Sequence, residues 1–331
     1  MSNAEPDPVL HVPARDVPVP SSVSAEAQSF LAAGLMIPRP YPSLDDHDAW
    51  RRYVAEGDAA MAQMLEFSDE AASDVRVQET RVADAAVYVS RPQHTTADDR
   101  RVFLDVHGGG LIQGGGPLCR ALGAQLAKRI GAVVWSVDYR MPPDHPFPAG
   151  VDDCLATYRT MLEEHHPEEI VIGGASAGGN LAAATVLRAR DEGLPMPAAV
   201  VLLTPQIDLT ESGDSFHANL GLDTVLAQSL MPANVLYAAG HDLVHPYVSP
   251  LFGDFTDGFP PTLLTAGTRD LFLSNAVRMH RSLRAAGVQA DLYLVEAGPH
   301  AAFFGLAPED RALDDELRRF LDRHWARRSA A

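Results

Sequence analysis

The sequence predicts an α/β fold, a mostly parallel sheet covered by helices on both faces. Three observations carry this expectation. From residue 101 onward, short apolar runs recur without polar alternation, among them "RVFLDV", "AVVWSV" and "AAVVLL", as expected for strands buried on both faces. Between them lie longer segments with apolar residues at helical spacing, so strand and helix alternate. The chain has 331 residues and is 46% apolar, which suits one large α/β domain or two smaller ones.

The elements follow in order. Pro6, Pro8, Pro13, Pro18 and Pro20 keep the first 20 residues extended. "SSVSAEAQSFLAAGLM" (21–36) reads as a helix that "IPRPYPS" breaks. "LDDHDAWRRYVAEGDAAMAQMLEF" (44–67) reads as a second helix, with Ser43 and Asp46 spaced as a capping box. After residue 74, "VRVQETRV" and "AAVYVSRP" read as a strand hairpin. Then come strand "RVFLDV", helix "PLCRALGAQLAKRI", strand "AVVWSVDYR", helix "AGVDDCLATYRTMLEEH", strand "EIVIGGAS", helix "GGNLAAATVLRARDEG" and strand "AAVVLLTPQID". An irregular stretch runs to about residue 250. Strand "PTLLTAGTRD", helix "NAVRMHRSLRAAG", strand "ADLYLVEAGPH" and helix "EDRALDDELRRFLDRHWA" complete the alternation. Residues 1–74 and 209–248 do not fit it. Both are expected to cover the edge of the sheet formed by the strands' C-terminal ends, where α/β proteins bind ligands.

The net charge of −18 argues against nucleic acid or an anionic membrane as a partner. Lys128 is the only lysine, so no other side chain could act as a catalytic amine. Cys119 and Cys154 are the only cysteines, too few for a disulfide framework. No apolar run approaches the roughly 18 residues of a membrane span. The N-terminus lacks the basic start and apolar middle of a signal peptide, so a cytoplasmic location is expected.

The densest signal is "HGGGLIQGGG" (107–116), six glycines in ten residues. Such a density implies a close approach to the backbone, by a phosphate or by a developing oxyanion. The phosphate reading fails on spacing. Counting from Gly108, the sixth position is Gln113, and Lys128 follows Ala127 rather than a loop glycine, so neither a dinucleotide fingerprint nor a P-loop is present. The oxyanion reading gains from a second motif. Gly174-Ala175-Ser176-Ala177-Gly178 is a G-x-S-x-G elbow between an apolar strand and a helix, a setting that leaves the serine hydroxyl exposed above the sheet.

A serine hydroxyl needs a base. Of the 13 histidines, His300 lies just past the last strand, on the same sheet edge as the elbow. Asp270 ends the preceding strand and is placed to orient it, with Glu296 as the fallback acid. Acyl transfer requires backbone N–H groups about 2.7–3.1 Å from the developing oxyanion, and the "HGGG" loop can supply them. The second triplet, Gly114 to Gly116, reads as a flexible hinge. His241 and His245 stand four apart as in a zinc helix, but Pro246 follows and no third ligand is in sight. They read as part of an exposed loop, and the adjacent His165 and His166 as solvated. No metal and no cofactor are expected.

With these residues the chain resembles the hormone-sensitive-lipase-like branch of α/β hydrolases, the bacterial family IV esterases. The shared residues are "HGGG" (107–110), "DYRMPPDHPFPAGVDD" (138–153), "GASAGGN" (174–180), Asp270 and His300. The resemblance implies an α/β-hydrolase fold with an N-terminal helical cap over the catalytic domain of residues 75–331, which itself contributes residues 209–248 to the cap. It implies Ser176 as nucleophile, His300 as base and Asp270 as its orienting acid. The N–H groups of Gly109, Gly110 and Ala177 would form the oxyanion hole, with Gly108, His107 and His145 supporting the loops. The sequence departs from the family at Ala175, where Asp or Thr is usual, and at Leu271 and Ser274, where proline and a later aspartate are usual. The implied activity is cleavage of short- to medium-chain carboxylic esters through an acyl-enzyme. A lactone hydrolase with the same triad is the alternative, followed by a dehydratase or a receptor. The expected partner is a small ester or lactone, and a homodimer is left open.

Overall fold

The computed structural model describes residues 10–66, 74–96 and 98–325. The start of the proline-rich arm, with Pro6 and Pro8, lies outside the described residues. So do Phe67, expected to end the second helix, residues 68–73 ahead of the expected domain boundary, and Ala326 at the end of the last helix.

Eight strands form one sheet: β1 (Val75–Val82), β2 (Ala85–Pro92), β3 (Val102–Val106), β4 (Val133–Asp138), β5 (Ile170–Ala175), β6 (Ala199–Leu203), β7 (Thr262–Gly267) and β8 (Ala290–Val295). Their order is β1-β2-β4-β3-β5-β6-β7-β8. β1 and β2 form the predicted hairpin, and β2 joins β4 antiparallel. Every other pairing is parallel. The helices are α1 (Ala25–Ala32), α2 (His47–Glu66), α3 (Pro117–Ile130), α4 (Ala149–Glu164), α5 (Ala177–Asp191), α6 (Ser215–Ala218), α7 (Met231–Ala238), α8 (Leu273–Ala285) and α9 (Pro308–His324).

β3 to β7 lack polar alternation because both of their faces are covered. On β3, Val102, Leu104 and Val106 enter the larger core, with residues of α4, α5 and α8. Phe103 points the other way and packs with Ala127 of α3 and with Leu317, Phe320 and Leu321 of α9. Phe320 is fully buried, and truncating it to alanine would cost on the order of 3–5 kcal/mol.

The N-terminal helices differ from the sequence reading at their ends. The first is shorter than residues 21–36. Ser24 Oγ accepts the Ala27 N–H at 3.1 Å and starts it, and Gly34, with φ +88°, follows its end. Ser24 also donates to Glu309 at the start of α9 through both N–H and Oγ, which anchors α1 there. At α2 the expected capping box does not form. Asp46 Oδ1 accepts the Ala49 N–H at 2.9 Å and acts as the cap, while Ser43 Oγ donates to Asp45. The stretch read as irregular holds two short helices, α6 and α7. Among the described residues, no helix is long and apolar enough to cross a membrane.

Candidate active site

The parallel strands bring their C-terminal ends to one edge. β3 runs into the "HGGG" loop, β5 into the Ser176 elbow, β7 into the loop carrying Asp270, and β8 into the loop carrying His300. Because β3 and β5 are neighbours, Val106 lies opposite Gly174 in register. The glycine loop therefore leaves the sheet beside the elbow.

Ser176 sits between β5 and α5 with φ 56° and ψ −122°. Non-glycine residues rarely adopt positive φ. Here the conformation is held by a 2.8 Å hydrogen bond from the Ser176 N–H to Leu203 O, and by the N–H groups of Gly179 and Gln206, each 3.0 Å from Ser176 O. The elbow glycines make room for this turn. A Cβ on Gly178 would fall 1.8 Å from Val106 O, and one on Gly174 would fall 2.4 Å from the same atom.

The three residues expected to act together do meet. His300 Nε2 is 2.9 Å from Ser176 Oγ, and His300 Nδ1 is 3.1 Å from Asp270 Oδ1. Asp270 is fully buried and its Oδ1 also accepts the Phe272 N–H at 2.8 Å. The Phe272 ring stands edge-on to the imidazole at 4.8 Å. Glu296, the fallback acid, is exposed. Burial, the largest influence on His300, disfavours its charged form. The Asp270 carboxylate, with a further contribution from Asp223, outweighs it, so the imidazole pKa lies above its ordinary value.

The glycine loop is packed from several sides. A Cβ on Gly108 would meet Ala175 O at 3.1 Å and Ser176 Cβ at 3.3 Å, so the loop touches the elbow directly. Gly109 has φ +123°, and a Cβ there would fall 1.9 Å from Gln113 O. Among the described residues, none accepts a hydrogen bond from the N–H of Gly109, Gly110 or Ala177. His107 is buried, its Nδ1 is 2.7 Å from Gly108 O, and its ring stacks on Tyr139 at 4.1 Å. Burial lowers its pKa and so favours the neutral ring. His145 is exposed, and its N–H caps a turn at Met141 O.

The "DYR" block now has physical content. Asp138 Oδ1 accepts the Gly116 N–H at 3.0 Å, Tyr139 donates to His107 O at 3.1 Å, and Arg140 pairs with buried Asp153 at 2.8 Å. The second glycine triplet is correspondingly not a loose hinge. The Gly114 N–H donates to Asp58 Oδ1 of α2 at 2.9 Å, and a Cβ on Gly114 would fall 2.4 Å from Gly108 O. Gly114 thus joins the loop to α2, while Gly116 has open space around it.

Two histidine pairs lie outside the site. His241 and His245 are exposed beyond α7 and flank the Phe147 ring at 4.9 and 5.8 Å. Among the described residues, no group of three or more His, Cys, Asp or Glu could hold a metal ion. His165 is not solvated. It follows α4, its side chain is 16% exposed, and its Nδ1 is 3.1 Å from Arg100 O.

Sequence reasoning missed Asp58 and Asp223. Asp223 lies in the irregular stretch after β6, is fully buried, and reaches the loops that carry Asp270 and His300. Besides the local bonds that Asp223 accepts from Val225 and Leu226, the contacts that tie these residues to the site are to backbone N–H groups distant in sequence.

Comparison with known proteins covers the part of the chain that carries this site. A sequence profile of the alpha/beta hydrolase fold family matches residues 103–304. An acetyl-hydrolase of Streptomyces hygroscopicus is 37% identical over 191 residues, 57% of this chain and 64% of that protein. The matched part is thus just under two thirds of that relative's length. A carboxylesterase of Mycobacterium tuberculosis is 30% identical over 289 residues, 77% of this chain and 88% of that protein. Among solved structures, an esterase called E25 superposes with a TM-score of 0.86 at 34% identity, covering 96% of this chain and 99% of that one. An esterase from the bacterial hormone-sensitive lipase family superposes with a TM-score of 0.76 at 29% identity, covering 92% and 99%.

Proposed function

Because the chain belongs to the alpha/beta hydrolase fold family, we propose that it is a serine esterase acting on short- to medium-chain carboxylic esters. The observation that carries the reading is the unbroken chain Ser176 Oγ, His300 Nε2, His300 Nδ1, Asp270 Oδ1, with links of 2.9 and 3.1 Å. The relatives named as an esterase and a carboxylesterase support it.

In this mechanism His300 Nε2 takes the Ser176 hydroxyl proton as Oγ attacks the ester carbonyl. Asp270 accepts the Nδ1–H, which fixes the tautomer and stabilises the imidazolium. The N–H groups of Gly109, Gly110 and Ala177 donate to the oxyanion, and the start of α5 adds its positive end. Collapse of the tetrahedral intermediate expels the alcohol, which takes its proton from His300. A water, deprotonated by His300, then releases the acid and restores Ser176.

The apolar cluster of Phe216, Leu230, Leu271 and Phe272, with Leu226 against it, flanks this chemistry. Leu230 Cδ2 lies 3.7 Å from where a Cβ on Gly110 would stand. In this reading the cluster stands beside the acyl group and limits its length, and α1, α2 and residues 209–248 act as the cap. A panel of nitrophenyl esters and lactones of increasing chain length tests the proposal, with Ser176→Ala as control. Cleavage of acetate and butyrate esters over long-chain ones, abolished in Ser176→Ala, is the expected result. No ester turnover, or turnover that survives Ser176→Ala, would refute it.

A further inference from the structure

The structure assigns a second buried carboxylate to the site: we infer that Asp223 is a positioning residue that clamps the loops delivering Asp270 and His300 and adds its charge to the field on the imidazole. The inference rests on the triad proposed above. It goes beyond it because nothing in the triad requires an acid at residue 223.

The geometry is specific. Asp223 Oδ2 accepts the Leu271 N–H at 2.9 Å, next to Asp270. Asp223 Oδ1 accepts the His300 N–H at 3.2 Å and the N–H groups of Val225 and Leu226 at 2.9 and 3.1 Å. One fully buried side chain thus joins three loops. Asn219, four residues earlier, grips the same acid-bearing loop from its carbonyl side. Its Nδ2 donates to Asp270 O at 2.9 Å and to Thr268 O at 3.3 Å.

This arrangement also accounts for a departure from the family pattern. Position 271, where proline is usual, is leucine here. Proline has no N–H to donate, whereas the Leu271 N–H is the one Asp223 Oδ2 accepts. Asp270 Oδ2 has no partner among the described residues. The orientation of Asp270 therefore depends on its bonds to Phe272 and His300 and on a loop held from outside by residues 219–223.

Asp223 does not touch the reacting atoms, so its effect passes through His300 and Asp270. The charged groups that act on the imidazole are Asp270, from the loop after β7, and Asp223, from the stretch after β6. The Ser176 hydroxyl and the Phe272 ring also face it. Burial, and then Asp270, raise the pKa of Asp223 itself, and its carboxylate form favours the protonated imidazole, so replacing it withdraws one of the two acids that raise the His300 pKa.

The test is the pH dependence of butyrate-ester turnover in Asp223→Asn, with Ser176→Ala as control. We expect kcat to fall about 10- to 100-fold with KM within about twofold, because a positioning contact is lost and not a substrate contact. We also expect the inflection of kcat/KM to move to lower pH. Asp223→Ser leaves an acceptor and introduces no amide donor, and it gives the same two readouts if the asparagine variant does not fold. An unmoved inflection in a folded variant, or an unchanged kcat, overturns the inference while an inactive Ser176→Ala leaves the triad standing. An active Ser176→Ala would overturn both.

Discussion

Asp58 Oδ1 accepts the Gly114 N–H at 2.9 Å, and this bond ties α2 to the far end of the glycine loop whose near end touches Ser176. Gly57 reinforces the contact, since a Cβ there would stand 2.8 Å from Gln113 Oε1. The N-terminal helix is therefore a brace for the proposed oxyanion hole. Asp58→Ala should lower kcat about tenfold with little change in KM, and Asp58→Asn, which keeps an acceptor oxygen, should be milder. Steady-state kinetics of the two variants check this. Equal kcat in Asp58→Ala and the parent enzyme would show that α2 does not hold the loop.

In the proposed mechanism His300 sets the pH dependence. Its pKa is raised above the ordinary imidazole value of about 6.5, and only the neutral form can accept the Ser176 proton. Activity should rise with pH, with its inflection in kcat/KM above about 6.5. The sign for stability is opposite. A histidine whose folded pKa is raised stabilises the fold below its unfolded pKa, and that contribution is lost as pH rises through the folded value. A kcat/KM profile with its inflection below about 6 would contradict the arrangement of carboxylates around His300.

Asp105 is a buried carboxyl in the middle of β3, and burial, the main cause, raises its pKa to about 6 against the help of the Ser136 hydroxyl at 2.9 Å. The folded protein thus holds a proton that the unfolded chain releases. Its contribution to stability falls as pH rises from the ordinary value of about 3.8 to about 6 and stays low above that. Asp105→Asn removes this loss, worth at most on the order of 3 kcal/mol. Urea unfolding at several pH values from 4 to 8 should show the variant gaining on the parent protein across that window. A constant difference between them would refute the account.

Two glycines separate crowding from backbone strain. Gly178→Ala places a Cβ 1.8 Å from Val106 O and should abolish activity, because elbow and sheet cannot both keep their places. Gly116→Ala meets no atom within 4 Å but sits at φ +60°, so it should cost only about 1–2 kcal/mol. Thermal unfolding with residual ester activity distinguishes them. Comparable losses in both variants would contradict the packing described around the elbow.

The parts of the fold legible in the sequence were those written in local pattern. The strands were readable because both faces are buried and their residues are almost uniformly apolar, as at Val102 to Val106. Ser176, Asp270, His300 and the glycine loop were readable because each follows such a strand directly, so the sheet brings them together. Asp58 and Asp223 were not. The bonds that tie each to a distant loop come from N–H groups of residues 48 or more positions away. A backbone N–H is the same at nearly every position and leaves no mark in sequence. The packing of Gly114 and Gly115 is equally absent from the local sequence, because the atoms that crowd them come from His107, Gly108, Asp138 and Met141.

Covalent trapping at Ser176 tests the central claim most directly. Treatment with a sulfonyl fluoride followed by mass spectrometry should find one adduct, on Ser176, formed in step with loss of ester cleavage. Ser176→Ala should take up none and should lower kcat by roughly 10⁵–10⁶, since the three residues act as a unit. An adduct on another residue of the active protein, or near-normal turnover by Ser176→Ala, would contradict the account.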